Sequence, residues 1–324
     1  MRSIPILLLV FATLSIGAAA QTLTTFAVNP KGGAYPTGIN DNGDVVGIFG
    51  CPPVHFGGPT YCGFLRSGST GANKHLGNGI TPLAVNDSDE IVGTYRISAF
   101  YWPFGGTLTQ FFRGKFPDAS AINTAGYIAG LYSPNQNSSY VAFLMNPQGQ
   151  ISTIFAPSTG SVENVSAMNN SNQVVGCWQT GQGIQGFVYS NGTVNGAFVY
   201  PNAVATCPTA INDAGEVAGT WTDSTGFVHG FIWTQKRGFT SFDAPKTTHT
   251  IPLAINNSGT VVGYFATKKQ TAQGAFLYSE GTLTVITVPG ARSAQAVGIN
   301  SQGTVLGDYS VGKALNPRGF LYQP

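Results

Sequence analysis

The sequence predicts an all-β fold, a seven-bladed β-propeller of four-stranded blades. Three observations lead there. One motif recurs seven times, its period is about 44 residues, and each copy reads as short strands separated by tight turns.

The anchor of the motif is an asparagine at Asn40, Asn86, Asn123, Asn169, Asn212, Asn256 and Asn300, with spacings of 46, 37, 46, 43, 44 and 44 residues. Two residues earlier stands Gly38, Ala84, Ala121, Ala167, Ala210, Ala254 or Gly298, small enough for close backbone approach. The residue between is always apolar, from Ile39 to Ile299, and ends a first strand. Three residues after the asparagine come Gly43, Asp89, Gly126, Asn172, Gly215, Gly259 and Gly303. Asp and Asn are the non-glycine residues that best tolerate positive φ, so every copy is expected to turn through one left-handed residue. The anchoring asparagine, at the start of that turn, is expected to bond the backbone through its side chain.

A second strand follows, with a β-branched residue (Val45, Ile91, Ile128, Val174, Val217, Val261, Val305) and a glycine two further on in every copy. Two residues later comes an aromatic: Phe49, Tyr95, Tyr132, Trp178, Trp221, Phe265 or Tyr309. Alternation puts these on one face, with the glycine expected to make room for a neighbouring sheet. The other face is also apolar, from Val46 to Leu306, so both faces are expected to be covered. A third strand carries Gly or Ala before Phe64, Phe100, Phe143, Phe187, Phe231, Phe276 or Phe320. A fourth is read at Leu23–Phe26, Leu108–Phe111, Phe239–Phe242 and Leu283–Ile286.

The last copy runs out after its third strand, at Gly319-Phe320-Leu321-Tyr322, whereas a spare fourth strand, Thr22–Phe26, precedes the first copy. Pairing of the two would close the ring and leave no unpaired terminal edge. An open β-solenoid is the rival architecture.

These units resemble the HAF extracellular repeat of secreted bacterial proteins, whose pattern runs Ala-x-Ile-Asn-x-x-Gly-x-Val-Val-Gly and then, after a spacer, His-Ala-Phe. The resemblance covers residues 21–324 and implies a propeller-like fold, with no general activity attached to it. The chain departs from the pattern at the histidine. Only His229 fills that place; Cys62, Ser98, Val141, Gln185, Gly274 and Arg318 fill the others. A role needing a ring of seven histidines is excluded.

Residues 1–20 have one positive charge at Arg2, an apolar run from Ile4 to about Ile16, and Ala18-Ala19-Ala20, the layout of a cleaved secretory signal. The expectation is a secreted protein, extracellular or periplasmic, cut near Ala20, with 21–324 as one domain. No other stretch approaches the apolar length of a spanning helix, so no membrane insertion is expected. Loss of Arg2 takes 15 basic residues to 14, against 13 acidic, which points to neither nucleic acid nor an anionic membrane. A monomer is expected.

Four cysteines in an exported chain favour disulfides over catalytic thiols. Cys51 and Cys62 bracket the second-to-third strand loop of the first copy, and Cys177 and Cys207 would meet on one rim of adjacent blades. Asp41-Asn42-Gly43-Asp44 resembles an acidic calcium loop. Asn123-Thr124-Ala125-Gly126 keeps the turn without an acid, however, so no metal or cofactor is assigned. No Gly-x-Ser-x-Gly or His-Glu-x-x-His motif occurs, and no catalytic residue is named.

Every position recurring seven times has a packing or turn explanation, so function is expected in residues that differ between copies. The second-to-third strand loops share a rim, with His55, Arg96, Asp223, Lys268, Lys269, Asp308 and Lys313 near the aromatics. The candidate binding residues are His55, Trp178, Trp221, Asp223, His229, Asp308 and Arg318. An extracellular binding module for a glycan or a protein is the first functional reading. A hydrolase or lyase assembled from several blades, and a structural matrix protein, are the alternatives.

Overall fold

The structure is a computed structural model and describes residues 21–29, 33–53, 60–113, 117–134, 139–155, 158–267, 272–312 and 317–324. The expected signal segment, His55, Lys268, Lys269 and Lys313 lie outside them. In chain order the strands are β1 (Thr22–Phe26), β2 (Tyr35–Ile39), β3 (Val45–Gly50), β4 (Tyr61–Arg66), β5 (Asn73–Asn78), β6 (Ile80–Val85), β7 (Ile91–Tyr95), β8 (Ser98–Trp102) and β9 (Thr109–Arg113). There follow β10 (Asp118–Ile122), β11 (Ile128–Tyr132), β12 (Val141–Met145), β13 (Ile151–Phe155), β14 (Ser161–Met168), β15 (Val174–Thr180), β16 (Gly183–Ser190) and β17 (Thr193–Phe198). The remainder are β18 (Ala205–Ile211), β19 (Val217–Thr222), β20 (Val228–Thr234), β21 (Gly238–Phe242), β22 (His249–Ile255), β23 (Val261–Ala266), β24 (Ala272–Ser279), β25 (Thr282–Ile286), β26 (Ser293–Ile299), β27 (Val305–Ser310) and β28 (Arg318–Gln323).

The chain is all-β among the described residues. Strands β2–β5, β6–β9, β10–β13 and β14–β17 form four antiparallel sheets in sequence order. Strands β18–β21 and β22–β25 repeat that arrangement and are linked into one eight-stranded sheet by a single parallel bridge, Val228 to His249. The remaining sheet has the order β1-β28-β27-β26, with Thr24 opposite Leu321 and Phe26 opposite Gly319. Strands β5, β13 and β17 are fourth strands whose sequences carry no shared signature.

All seven left-handed turn residues have the expected positive φ, from 57° at Asp89 to 82° at Gly303. The constant phenylalanines of the third strands are all fully buried, and with Val46, Val92 and their counterparts they fill the space between sheets. Both faces of the second strands are buried, as their unbroken apolar runs require.

The constant glycine of the second strand has another cause than the one expected. Every first strand carries a β-bulge, between Pro36 and Gly38 in β2 and at the same place in β6, β10, β14, β18, β22 and β26. The bulge brings a carbonyl of the first strand against the glycine in every copy, and in five of the seven the phenylalanine ring of the third strand also crowds it. A Cβ on Gly219 would lie 2.6 Å from both the Cys207 oxygen and the Phe231 ring. The glycine makes room within its own sheet. The close approach between sheets belongs to the small residue before the asparagine: a Cβ on Gly38 would stand 3.3 Å from the Leu83 oxygen in the next sheet.

Candidate functional site

The first strand of each repeat faces a common axial cavity, and the asparagine turns gather at one mouth of it. Each asparagine is buried and is used twice. Its Oδ1 accepts the backbone N–H four residues on, at 2.8–3.0 Å in all seven copies. Its Nδ2 donates to the backbone oxygen of the next asparagine, from Asn40 to Asn86 (2.9 Å) through to Asn256 and Asn300 (3.3 Å). Asn300 then donates to the Asn40 oxygen at 3.3 Å. The turn role was legible in the sequence; the bond between sheets was not.

A second tier of polar residues stands at the same mouth, one position after each asparagine. Asp41, Asn170, Asp213 and Ser301 use their backbone N–H groups to bond the side chains of Asp87, Asp213, Asn257 and Asp41 respectively. Partial burial pushes the Asp213 carboxyl up, but hydrogen bonds from Asn170 and Asn257 outweigh it and hold it below the usual range. The mouth encloses about 240 Å³. Below it the apolar residues Ile39 to Ile299 narrow the axis, and a second cavity of about 270 Å³ opens beyond them, lined by Thr37, Ser120, Ser166 and Thr209. Some of these hydroxyls are engaged: Thr37 donates to Pro82 O and Ser166 to Pro208 O.

The opposite rim holds the residues that differ between repeats. His229 on β20 lies between two carboxylates, with Nδ1 2.9 Å from Asp243 and Nε2 3.4 Å from Asp223. Asp223 caps its own turn through Thr225 and Phe227, and those hydrogen bonds together with His229 depress its carboxyl to about 2. The His229 ring stacks on Trp221 at 4.2 Å, and Tyr200 stacks on Trp221 at 4.2 Å. Trp221 also donates its indole N–H to Ser241. Both faces of this tryptophan are covered, which leaves no flat surface there for a sugar ring.

The sequence-predicted residues do not form one group. Asp223, His229 and Trp221 come together. Trp178 lies on β15, edge-on to Phe155 at 5.4 Å, within the packing between sheets. Asp308 was expected on a loop but lies within β27, partly buried, where Gln295 donates to it at 2.7 Å. Burial pushes its carboxyl up to about 6, against the Gln295 bond. Arg318 is exposed on β28, opposite Tyr309. Asp243 and Tyr200 escaped the sequence reading because their partners are 14 and 21 residues away with no shared motif.

Both disulfides have the expected pairing. Cys51–Cys62 spans the β3–β4 loop, and Cys177–Cys207 joins β15 to β18 of the next sheet. His75 lies close to Cys51 and Cys62, but both sulfurs are spent in the disulfide and offer no thiolate to a metal.

Among solved structures the chain is similar to the β-propeller domain of the trilobed protease from Pyrococcus furiosus, described as having an open velcro topology. The TM-score is 0.63 at 8% identity, over 90% of this chain and 97% of that one. It is also similar to the acylaminoacyl peptidase of Pyrococcus horikoshii (TM-score 0.58, 10% identity, 90% of this chain and 51% of that one). A third likeness is to TolB from Acinetobacter baumannii (TM-score 0.50, 12% identity, 82% and 60%). The fold is that of a β-propeller. At these identities the likeness is one of fold alone, and the propeller spans about half to three-fifths of the peptidase and TolB chains. No protein-family model and no curated protein matches the sequence.

Proposed function

We propose that residues 21–324 form a secreted, monomeric, seven-bladed propeller of HAF-type repeats that serves as an extracellular binding module. The ring is closed by β1, which supplies the outer strand of the last blade. The β1–β28 pairing and the hydrogen bond from Asn300 back to Asn40 support closure. Two disulfides support an oxidising location outside the cytoplasm.

The observation that carries the binding reading is the division of labour between rims. The recurring residues are consumed by turns, bulges and packing, whereas the rim opposite the asparagine turns presents residues found once. There Ile97 and Val204 are 47% and 55% exposed, with Val311 and Tyr35 also exposed. Exposed apolar side chains spread over several sheets of one rim suit an extended protein partner, with an extracellular glycan the second candidate. Asp223 and His229 contact each other and Asp308 is held by Gln295. Among the described residues no hydrogen bond or ion pair joins Asp308 or Arg318 to Asp223 or His229, so a hydrolytic group drawn from these four residues has no geometric support.

The test is capture of ligands from extracellular protein and on a glycan array, with the Ile97→Asp/Val204→Asp variant beside the parent chain. Binding that the variant lowers at least tenfold supports the reading. Absence of any captured ligand, or binding untouched by the variant, overturns it.

A further inference from the structure

A separate cleft of about 430 Å³ opens on the asparagine-turn side, between the β6–β9 and β10–β13 sheets. That volume suits a ligand of amino-acid to small-drug size. Its wall is mostly apolar, with Phe111, Ile128, Met145 and Ile151, and Glu90 and Tyr101 supply its ionisable groups. Glu90 Oε2 accepts from Asn86 Nδ2 at 2.7 Å, and Oε1 accepts from the Tyr101 hydroxyl. A carboxylate has about four acceptor sites, so these two bonds leave capacity for a ligand. No Lys, Arg or His lines the cleft, and among the described residues no cationic side chain pairs with Glu90.

The cleft is a local departure from the repeat. The residue after the constant phenylalanine is Leu65, Leu144, Val188, Ile232, Leu277 or Leu321 in six copies and Tyr101 in this one. Burial, with Glu90 beside it, pushes the Tyr101 hydroxyl up to about 12. Tyr101 therefore stays a donor, and Glu90 is the charge the cleft presents.

We propose that this cleft binds a small organic ammonium ion, its charge on Glu90 and its apolar or aromatic body against Phe111, Ile128 and Met145. A partly desolvated carboxylate favours a charged donor over a neutral one, and the aromatic walls of Tyr101 and Phe111 add cation–π attraction.

The test is calorimetric titration of the full chain with phenethylamine and with its neutral counterpart 2-phenylethanol. The amine is expected to bind at least about tenfold tighter, the difference between a charge-assisted and a neutral hydrogen bond. Glu90→Gln should bring the two within about threefold of each other without unfolding the chain. Gln173 already holds the same bond in a sister repeat, where Asn169 donates to it at 2.7 Å. Ala125→Trp, at a turn position that carries Gln302 in the last repeat, should fill the cleft and weaken both ligands. Equal affinities, no saturable amine binding up to about 10 mM, an amine preference that survives Glu90→Gln, or undiminished binding to Ala125→Trp would each overturn the proposal.

Discussion

The two rims of this propeller are built on different rules. At the asparagine mouth the same two hydrogen bonds recur in every repeat, one closing the turn and one reaching the next sheet. On the opposite rim the equivalent cross-strand pair, five residues before the asparagine and one after the glycine, is never the same twice. It is Tyr35 with Ile48, Thr81 with Thr94, Asp118 with Leu131, Asn164 with Cys177, Cys207 with Thr220, Ile251 with Tyr264, and Gln295 with Asp308. One such pair supplies Cys177 and the next Cys207, joined by a disulfide; another holds a carboxyl raised by burial. Variation is tolerated at a position that no contact repeated in every copy requires, and one pair there has gained a disulfide to the next sheet instead.

Three substitutions can break that contrast, in descending order of effect, with Ile97→Ala as the reference on the variable rim. Phe143→Ala removes one of the fully buried rings and is expected to cost about 3–5 kcal/mol in urea unfolding, whereas Ile97→Ala on the variable rim should stay within about 0.5 kcal/mol. A small loss for Phe143→Ala would show that the repeated core is not what holds the sheets. Asn256→Ala deprives the Thr260 N–H of its acceptor and leaves the Asn300 oxygen with the Gly303 N–H alone, for an expected loss of about 2–3 kcal/mol. A neutral result would mean that neither the turn bond nor the link between sheets adds stability.

Asp308→Asn tests the variable rim through pH. The folded carboxyl sits at about 6 against an ordinary value of 3.8, so the folded state holds the proton more tightly. Its stabilising contribution is fully present below the ordinary value and is lost as pH rises through about 6. The parent chain is therefore expected to lose about 1–2 kcal/mol relative to Asp308→Asn between pH 4 and pH 7, with Gln295 still bonded to the amide oxygen. Parallel stability curves for the two proteins would contradict the burial of that carboxyl.

Much of the fold is legible in sequence because its rules are local. A left-handed residue three after each asparagine must be Gly, Asn or Asp, and a strand buried on both faces must be apolar throughout. The fourth strands are harder to read: β5, β13 and β17 lie on the outer edge of their sheets, where partial exposure relaxes the demand for a pattern. The bulges left a trace in the constant glycine, but the trace names an obstruction without saying which chain segment causes it. Of the candidate site, Trp221 was visible as the repeated aromatic, His229 as the one histidine at its repeat position, and Asp223 as a polar residue of a loop that differs between copies. The pairing of His229 with Asp243 and the stacking of Tyr200 on Trp221 depend on connections whose paths no periodicity constrains.

The sequence by itself determined the seven-fold repeat, the turn chemistry and the buried phenylalanines, because each follows from backbone sterics or from the need to bury an apolar face. Only the tertiary structure decided what the repeated asparagine donates to, what obstructs the constant glycine, and that Glu90 and Tyr101 share a cleft. Those outcomes depend on the packing of one sheet against the next and on the three-dimensional course of a bulged strand. Neither distance is encoded in the spacing of residues along a single repeat.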